Sequence, residues 1–186
     1  MRMSKIGYFS EFLLFPPFVF IAAFLAFRDS TAPRLVIWVI VYCIGLMSWT
    51  LIEYLLHRAF FHHAPILARI HEQHHHSPQD LIGTPAWASV LVALIAIVLP
   101  SVAMFGFDLG TAVTGGMATG YLWYVFVHYA IHHWRLRRGS YLYRARLRHA
   151  RHHHSQAGNF GVTTDLWDRV FATTLEVNAP RPLPAP

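Results

Sequence analysis

Residues 35–62 read LVIWVIVYCIGLMSWTLIEYLLHRAFFH, an apolar run that ends in the histidine pair His57 and His62. The run up to Leu56 is long enough to cross a hydrocarbon core of about 30 Å at about 1.5 Å per residue. Residues 86–105 and 109–131 form two more runs of that kind. A fourth, 12–27, is shorter and carries Pro16-Pro17. It reads as a span extended back toward Ile6, or as an interfacial or re-entrant piece. The expected fold is all-α: a polytopic membrane protein of about four transmembrane helices, 12–27, 35–56, 86–105 and 109–131, with a cytoplasmic helical cap. The last two runs are joined only by Gly106-Phe-Asp108, which predicts a tight helical hairpin.

At 186 residues the chain reads as a single integral-membrane domain, 1–186. Apolar residues make up 55% and charged residues only 13%, too apolar for most soluble domains of this size. The lone Cys43 lies in an apolar run, excludes a disulfide framework and reads as a buried structural thiol. The net charge of +6 does not point to nucleic acid, because the arginines sort by membrane side rather than alternating with aromatics on a polar face. The apolar stretch after the basic N-terminus carries Glu11 and the proline pair, and no cleavage pattern is evident.

Four spans put the N-terminus, 57–85 and 132–186 on one side. Of the 15 Lys and Arg residues, 13 fall there, and only Arg28 and Arg34 fall on the other. That asymmetry makes the first side cytoplasmic, the inner-membrane face in a bacterium. All 14 histidines share it. Trp87 and Trp134 fall at span ends on this face, where indoles favour the interface. Gly116 and Gly120 make a GxxxG, a pattern common in apolar helices. Residues 135–151 are basic with interspersed apolar residues, and read as a segment on anionic headgroups or as a solvated helix face.

Ten histidines fall into four boxes: His57 and His62; His71, His74 and His75; His128 and His132; His149, His152 and His153. Residues three and four apart share a helical face. Each of the last three boxes is therefore expected to point its imidazoles one way. His57 and His62 differ, because five residues turn a helix by about 140°. They must serve two metals, or the helix must unwind between them. Ten imidazoles exceed what one first-row ion holds, so two metals follow, and imidazole suits iron, zinc, copper and nickel alike. His63, His76, His133 and His154 extend the boxes by one residue and point off the ligand face. Metal-bound imidazoles usually donate their other N–H to a carboxylate or carbonyl. Glu53, one turn before His57, and Asp168 are the expected orienting carboxylates. Asp165 reads as surface and Glu72 as facing away.

The stretch Glu53-Tyr-Leu-Leu-His57-Arg58, the box spacings and Asn159-Phe-Gly-Val-Thr-Thr-Asp-Leu-Trp-Asp168 resemble the fatty acid hydroxylase/sterol desaturase superfamily. The resemblance runs from about Glu53 to Thr174 and is nearest to fatty acid 2-hydroxylases, which share the box order and the lead from Gly120 to Tyr124. It implies two iron ions, with zinc a substitute after purification, held by the ten box histidines. It also implies O2 as co-substrate and two external electrons that oxidise a C–H bond of a lipid. No cytochrome b5-like domain is fused within these residues. The electrons would then come from a separate cytochrome b5-like protein, ferredoxin or reductase.

The leading function is a non-haem di-iron lipid hydroxylase. A lipid or sterol desaturase would use nearly the same ligands. A carotenoid hydroxylase would space its third box as HxxxxH, where this chain has His128 and His132. A haem electron-transfer subunit would need single histidines facing one another within spans.

Overall fold

The computed structural model describes residues 2–28 and 31–175, so both ends of the expected 1–186 domain lie outside the described residues. It is all-helical. Helices α1 (Lys5–Phe9), α2 (Glu11–Phe27) and α3 (Ala32–Leu55) come first. A π-helical turn, Leu56–Phe61, continues α3, and α4 (Pro65–His76) follows. Then come α5 (Ala86–Ala93), a second π turn at Leu94–Val98, α6 (Leu99–His133), α7 (Tyr141–Ser155) and α8 (Leu166–Val170).

Three helical stretches are long and apolar enough to cross a membrane: Lys5–Phe27, Ala32–Phe61 and Ala86–His133. The first runs through Pro16 and Pro17 without a break. The pair lies at its middle, six and seven residues beyond the Ser10 junction between α1 and α2. The third is not straight. Gly106 takes φ 76°, ψ 174° inside α6, a conformation open to glycine and costly for other residues. Beyond it the chain doubles back: Tyr121 Oη lies 3.4 Å from Ser89 Oγ, although 32 residues separate them. A straight helix would hold these residues roughly 48 Å apart. The expected hairpin is therefore present, with its bend at Gly106 alone, and Phe107 and Asp108 are helical.

The second arm of α6 is the central helix. Its glycines let it meet α3 backbone to backbone: a Cβ on Gly116 would run into the Tyr42 carbonyl, and one on Gly45 into the Val113 carbonyl. Gly120 accommodates the Trp49 side chain. The GxxxG is thus used in packing within the chain. Outward, Phe20, Phe24, Ile40, Ile44, Val92, Ile95 and Met104 are exposed, a surface suited to lipid. Cys43 is exposed on that surface, which corrects its reading as a buried thiol.

The polar segments fold onto one end of this bundle. Ser140 caps α7 by accepting from Tyr143 N, and Gln156 ends the helix in the left-handed region. Ala145 of α7 packs with Val127 and Ile131 of α6 and Val162 of the loop that follows. α7 therefore has a buried inner face bearing His149 and His152, and only its outer face carries exposed arginines. Helix α8 returns to α3. Trp167 Nε1 donates to Thr50 Oγ1 at 2.9 Å, and Phe171 stacks on Tyr54 with centroids 5.3 Å apart.

Candidate metal centre

The four histidine boxes arrive from four directions. The first rides on the π turn at the end of α3, the second on α4, the third on the last turns of α6, and the fourth on α7. The ten imidazoles gather into two clusters. One holds His57, His62, His71, His75 and His152. The other holds His74, His132, His149 and His153, with candidate ligand atoms within 4.8 Å of one another in each set. His128 joins the second through His149, Nε2 to Nε2 at 3.1 Å.

The π turn resolves the odd spacing of the first box. Its i→i+5 pattern aligns residues five apart, and His57 and His62 stack with centroids 5.4 Å apart and planes 15° from parallel. Both serve one cluster. The expectation that each HxxHH box points one way is corrected. His71 and His75, four apart, face the first cluster while His74 faces the second. In α7 the split is mirrored: His149 and His153 face the second cluster and His152 the first. Adjacent helical residues lie about 100° apart, so a helix wedged between two centres supplies both. Each cluster thus takes both members of one two-histidine box, the outer pair of one HxxHH and the inner residue of the other.

His63, His76, His133 and His154 stay outside both clusters. His133 stacks on Tyr129 at 4.3 Å, and His76 lies 3.8 Å from Glu72, which faces away from the clusters. Asp165 pairs with Arg169 at 2.7 Å.

Glu53 and Asp168 are buried, but neither carboxylate touches an imidazole, which corrects the direct contact expected of them. Glu53 Oε1 accepts from the backbone N–H groups of Val162 and Thr163 at 2.7 and 2.8 Å, and its Oε2 accepts from Thr163 Oγ1. Asp168 accepts from the N–H groups of Phe160 and Gly161 at 2.9 and 2.8 Å, and from Thr173 Oγ1 at 2.8 Å. The two carboxylates pin the 158–163 loop, and the loop's carbonyls reach the rings. His57 Nδ1 lies 2.6 Å from the Phe160 carbonyl, and His152 Nδ1 lies 3.0 Å from that of Gly158. A carbonyl only accepts, so Nδ1 carries the proton on both rings and Nε2 is left with its lone pair facing the cluster. The motif around Asn159 marked this loop in the sequence, but nothing there showed that backbone carbonyls would contact the histidines.

These residues fit metal ions. Nε2 atoms crowd at 3.0 Å between His57 and His71, and at 2.9 Å between His149 and His153. Buried Nε2 atoms of His74 and His132 have no partner among the described residues. Burial, with crowding by neighbouring imidazoles, pushes His74, His152 and His153 down to about 3 and His75 to about 4. His71 and His149 are driven down for the same reasons. Neutral imidazoles with converging lone pairs are what a divalent transition ion requires.

Beside the centre lies a cavity of about 140 Å³. His71, His74 and His128 are part of its polar lining, and Phe61, Leu67, Ile70 and Val125 are among its apolar lining.

The family described as fatty acid hydroxylase matches residues 41–173. A fatty acid 2-hydroxylase of Rattus norvegicus is 36% identical over 155 residues, covering 74% of this chain and 40% of that protein. A dihydroceramide fatty acyl 2-hydroxylase of Arabidopsis thaliana is 30% identical over 152 residues, covering 73% of this chain and 60% of its own length. A solved structure described as full-length scs7p, with only the hydroxylase domain visible, superposes with a TM-score of 0.80 at 26% identity. That superposition covers 94% of this chain and 69% of the other. The chain spans about 40% of the length of the rat relative. With the family match over both histidine clusters and the loop that braces them, the chain belongs to the fatty acid hydroxylase family.

Proposed function

We propose that this protein is a membrane-bound lipid hydroxylase that places a hydroxyl on the acyl part of its substrate, next to the carbonyl. The observation that carries the reading is the pair of five-histidine clusters beside a cavity with a partly apolar lining. The relatives named as acyl 2-hydroxylases support the position oxidised. The ten box histidines would hold two iron ions, and zinc would occupy the same donors without supporting turnover. When bound, the iron pair supplies O2 reduction and C–H oxidation, with two electrons delivered by a separate redox protein. The chain's residues keep the imidazoles neutral and aimed, exclude water through the apolar wall, and hold the acyl chain against the histidines. Glu53 and Asp168 act as positioning residues through the 158–163 loop.

The proposed topology has four crossings, the hairpin counting as two, within one domain. Both ends and the metal centre face the cytoplasm, as the charge asymmetry of the sequence supports. Labelling cysteines placed at Ala32 and Asp108 should report the opposite side, and cytoplasmic labelling of Ala32 would remove the first crossing. The reaction is tested by lipid mass spectrometry of a host with and without the gene. A gain of one oxygen per acyl chain is expected. A loss of two hydrogens would make the protein a desaturase.

A further inference from the structure

The cavity beside the histidines contains a polar group that the family match does not include. Glu11, at the start of α2, is 5% exposed and precedes the matched residues 41–173. Its Oε1 accepts from Tyr121 Oη at 2.5 Å, and Ser89 faces the same carboxyl. Helices α2, α5 and α6 thus each send one polar side chain to a single point. Apolar packing surrounds that point: the Tyr121 ring meets Phe15 and Trp49 edge-on, with centroids 5.2 Å from each. Glu11 and Tyr121 both line the cavity that reaches His71, His74 and His128.

A carboxyl buried at a membrane-facing helix end is costly, and an apolar pair could hold α2 against α6 equally well. Since the group lines the cavity, its unused acceptor capacity is available to whatever enters. We infer that Glu11, supported by Tyr121 and Ser89, anchors the polar part of the lipid substrate by accepting a hydrogen bond from a hydroxyl or amide N–H. The inference rests on the hydroxylase reading and adds a residue that selects the substrate. Tyr121 precedes His128 by seven residues on α6, two turns or roughly 10 Å. A donor held at Glu11 therefore limits which carbon of the acyl chain can reach the histidines. A neutral N-acyl lipid such as a ceramide carries such donors. A free fatty acid, ionised, offers only acceptor oxygens and leaves the Glu11 acceptor unmatched, the situation in which a polar site discriminates strongly.

The test uses the full metal-loaded chain in lipid nanodiscs, with a ceramide and the free fatty acid of the same acyl length as competing substrates. Glu11→Leu, Glu11→Gln and Tyr121→Phe are compared with the wild type. In Glu11→Leu the kcat/KM preference for the ceramide should fall roughly tenfold, chiefly through KM, and hydroxylation should spread to neighbouring carbons. Glu11→Gln, which still accepts a hydrogen bond, should retain part of the preference, and Tyr121→Phe should fall between. Ceramide binding to the metal-free protein, read as a thermal shift, should weaken in the same order. If both substrates slow equally, the oxidised carbon is unchanged and the melting temperature drops, Glu11 is only a tie between α2 and α6 and the inference is overturned. If the wild type hydroxylates neither lipid, the hydroxylase reading fails separately. The binding series then decides the anchor, and undiminished ceramide binding in Glu11→Leu would overturn it.

Discussion

The two histidine clusters use the same side chain at matching spacings, yet different parts of the chain hold them. In the first, His57 and His152 each meet a carbonyl of the 158–163 loop, and that loop is pinned by two buried carboxylates through five hydrogen bonds. In the second, no loop carbonyl reaches a ring among the described residues; a buried Nδ1 without a partner occurs in both, at His149 in the second and at His75 in the first. The second cluster relies mainly on helix packing, with Ile131 and Ala145 in the core beneath it. A ring fixed through its Nδ1 has a set tautomer and a set direction, whereas a ring fixed by its helix keeps its side-chain torsions. The first half of the centre is therefore the preformed half. The second half is expected to bind its ion more weakly and to exchange it faster.

The largest effects come from removing a ligand. His152→Ala and His149→Ala should each abolish hydroxylation, since the proposed reaction needs both ions. Metal content should separate them. His149→Ala should retain about one tightly held ion, because the braced cluster keeps all five of its imidazoles. His152→Ala should leave one weakly held ion that a chelator strips. Identical retention and identical stripping rates in the two variants would break the comparison.

Next comes the brace. Glu53→Leu removes the acceptor for two backbone N–H groups and one hydroxyl, and leaves those donors buried and unpaired. Such a group costs about 1–3 kcal/mol, so the variant should melt earlier although leucine suits a membrane helix. The ion in the first cluster should be held roughly 10–100-fold more weakly, with the second cluster unchanged. Glu53→Gln keeps one oxygen acceptor and should lose less. Equal weakening of both ions, read by metal titration in the two ligand variants, would show that the loop braces the whole centre.

The sequence made some of this legible and hid the rest for physical reasons. Apolar runs longer than a bilayer is thick can hardly be misread, and the runs at 35–56, 86–105 and 109–131 all became helices bounded close to those limits. The His57–His62 spacing signalled that an α-helix could not serve one site, and the π turn is one of the two outcomes that spacing allowed. The division of His71, His74 and His75 was hidden, because helical spacing shows which residues share a face but not that two targets flank the helix. Glu53 and Asp168 were identified as orienting residues with the wrong partner. Burial of a carboxylate can be inferred from an apolar neighbourhood, but the donors that satisfy Glu53 come from a loop more than 100 residues away, and spacing gives no sign that Asp168 folds back on the same loop. The Glu11–Tyr121 pair, 110 residues apart, carried no sequence signal at all.

The smallest expected effect tests the comparison most finely, because it touches a side-chain hydrogen bond near the second cluster. Gln79 Nε2 donates to the His132 backbone carbonyl at 2.9 Å and so steadies the last turn of α6. The segment bearing Gln79 is tied in turn to the N-terminus: Arg2 pairs with Asp80 at 2.6 Å, and Met3 N donates to the Leu81 carbonyl at 2.8 Å. The Gln79 bond is exposed, so water replaces it when it is lost. A bond of that kind contributes about 0.5–1.5 kcal/mol. It also acts on the backbone rather than on a ring, so only part of that should reach the ion. Gln79→Ala should therefore weaken the second ion by roughly fivefold or less. The first ion should be unaffected, and the melting temperature should shift little. Arg2→Ala, one step further out and at an exposed ion pair screened by solvent, should do less still. Were Gln79→Ala to cost the second ion as much as Glu53→Leu costs the first, this exposed bond would be a brace equal to the buried carboxylates, and the two halves of the centre would have to be regarded as equally preformed.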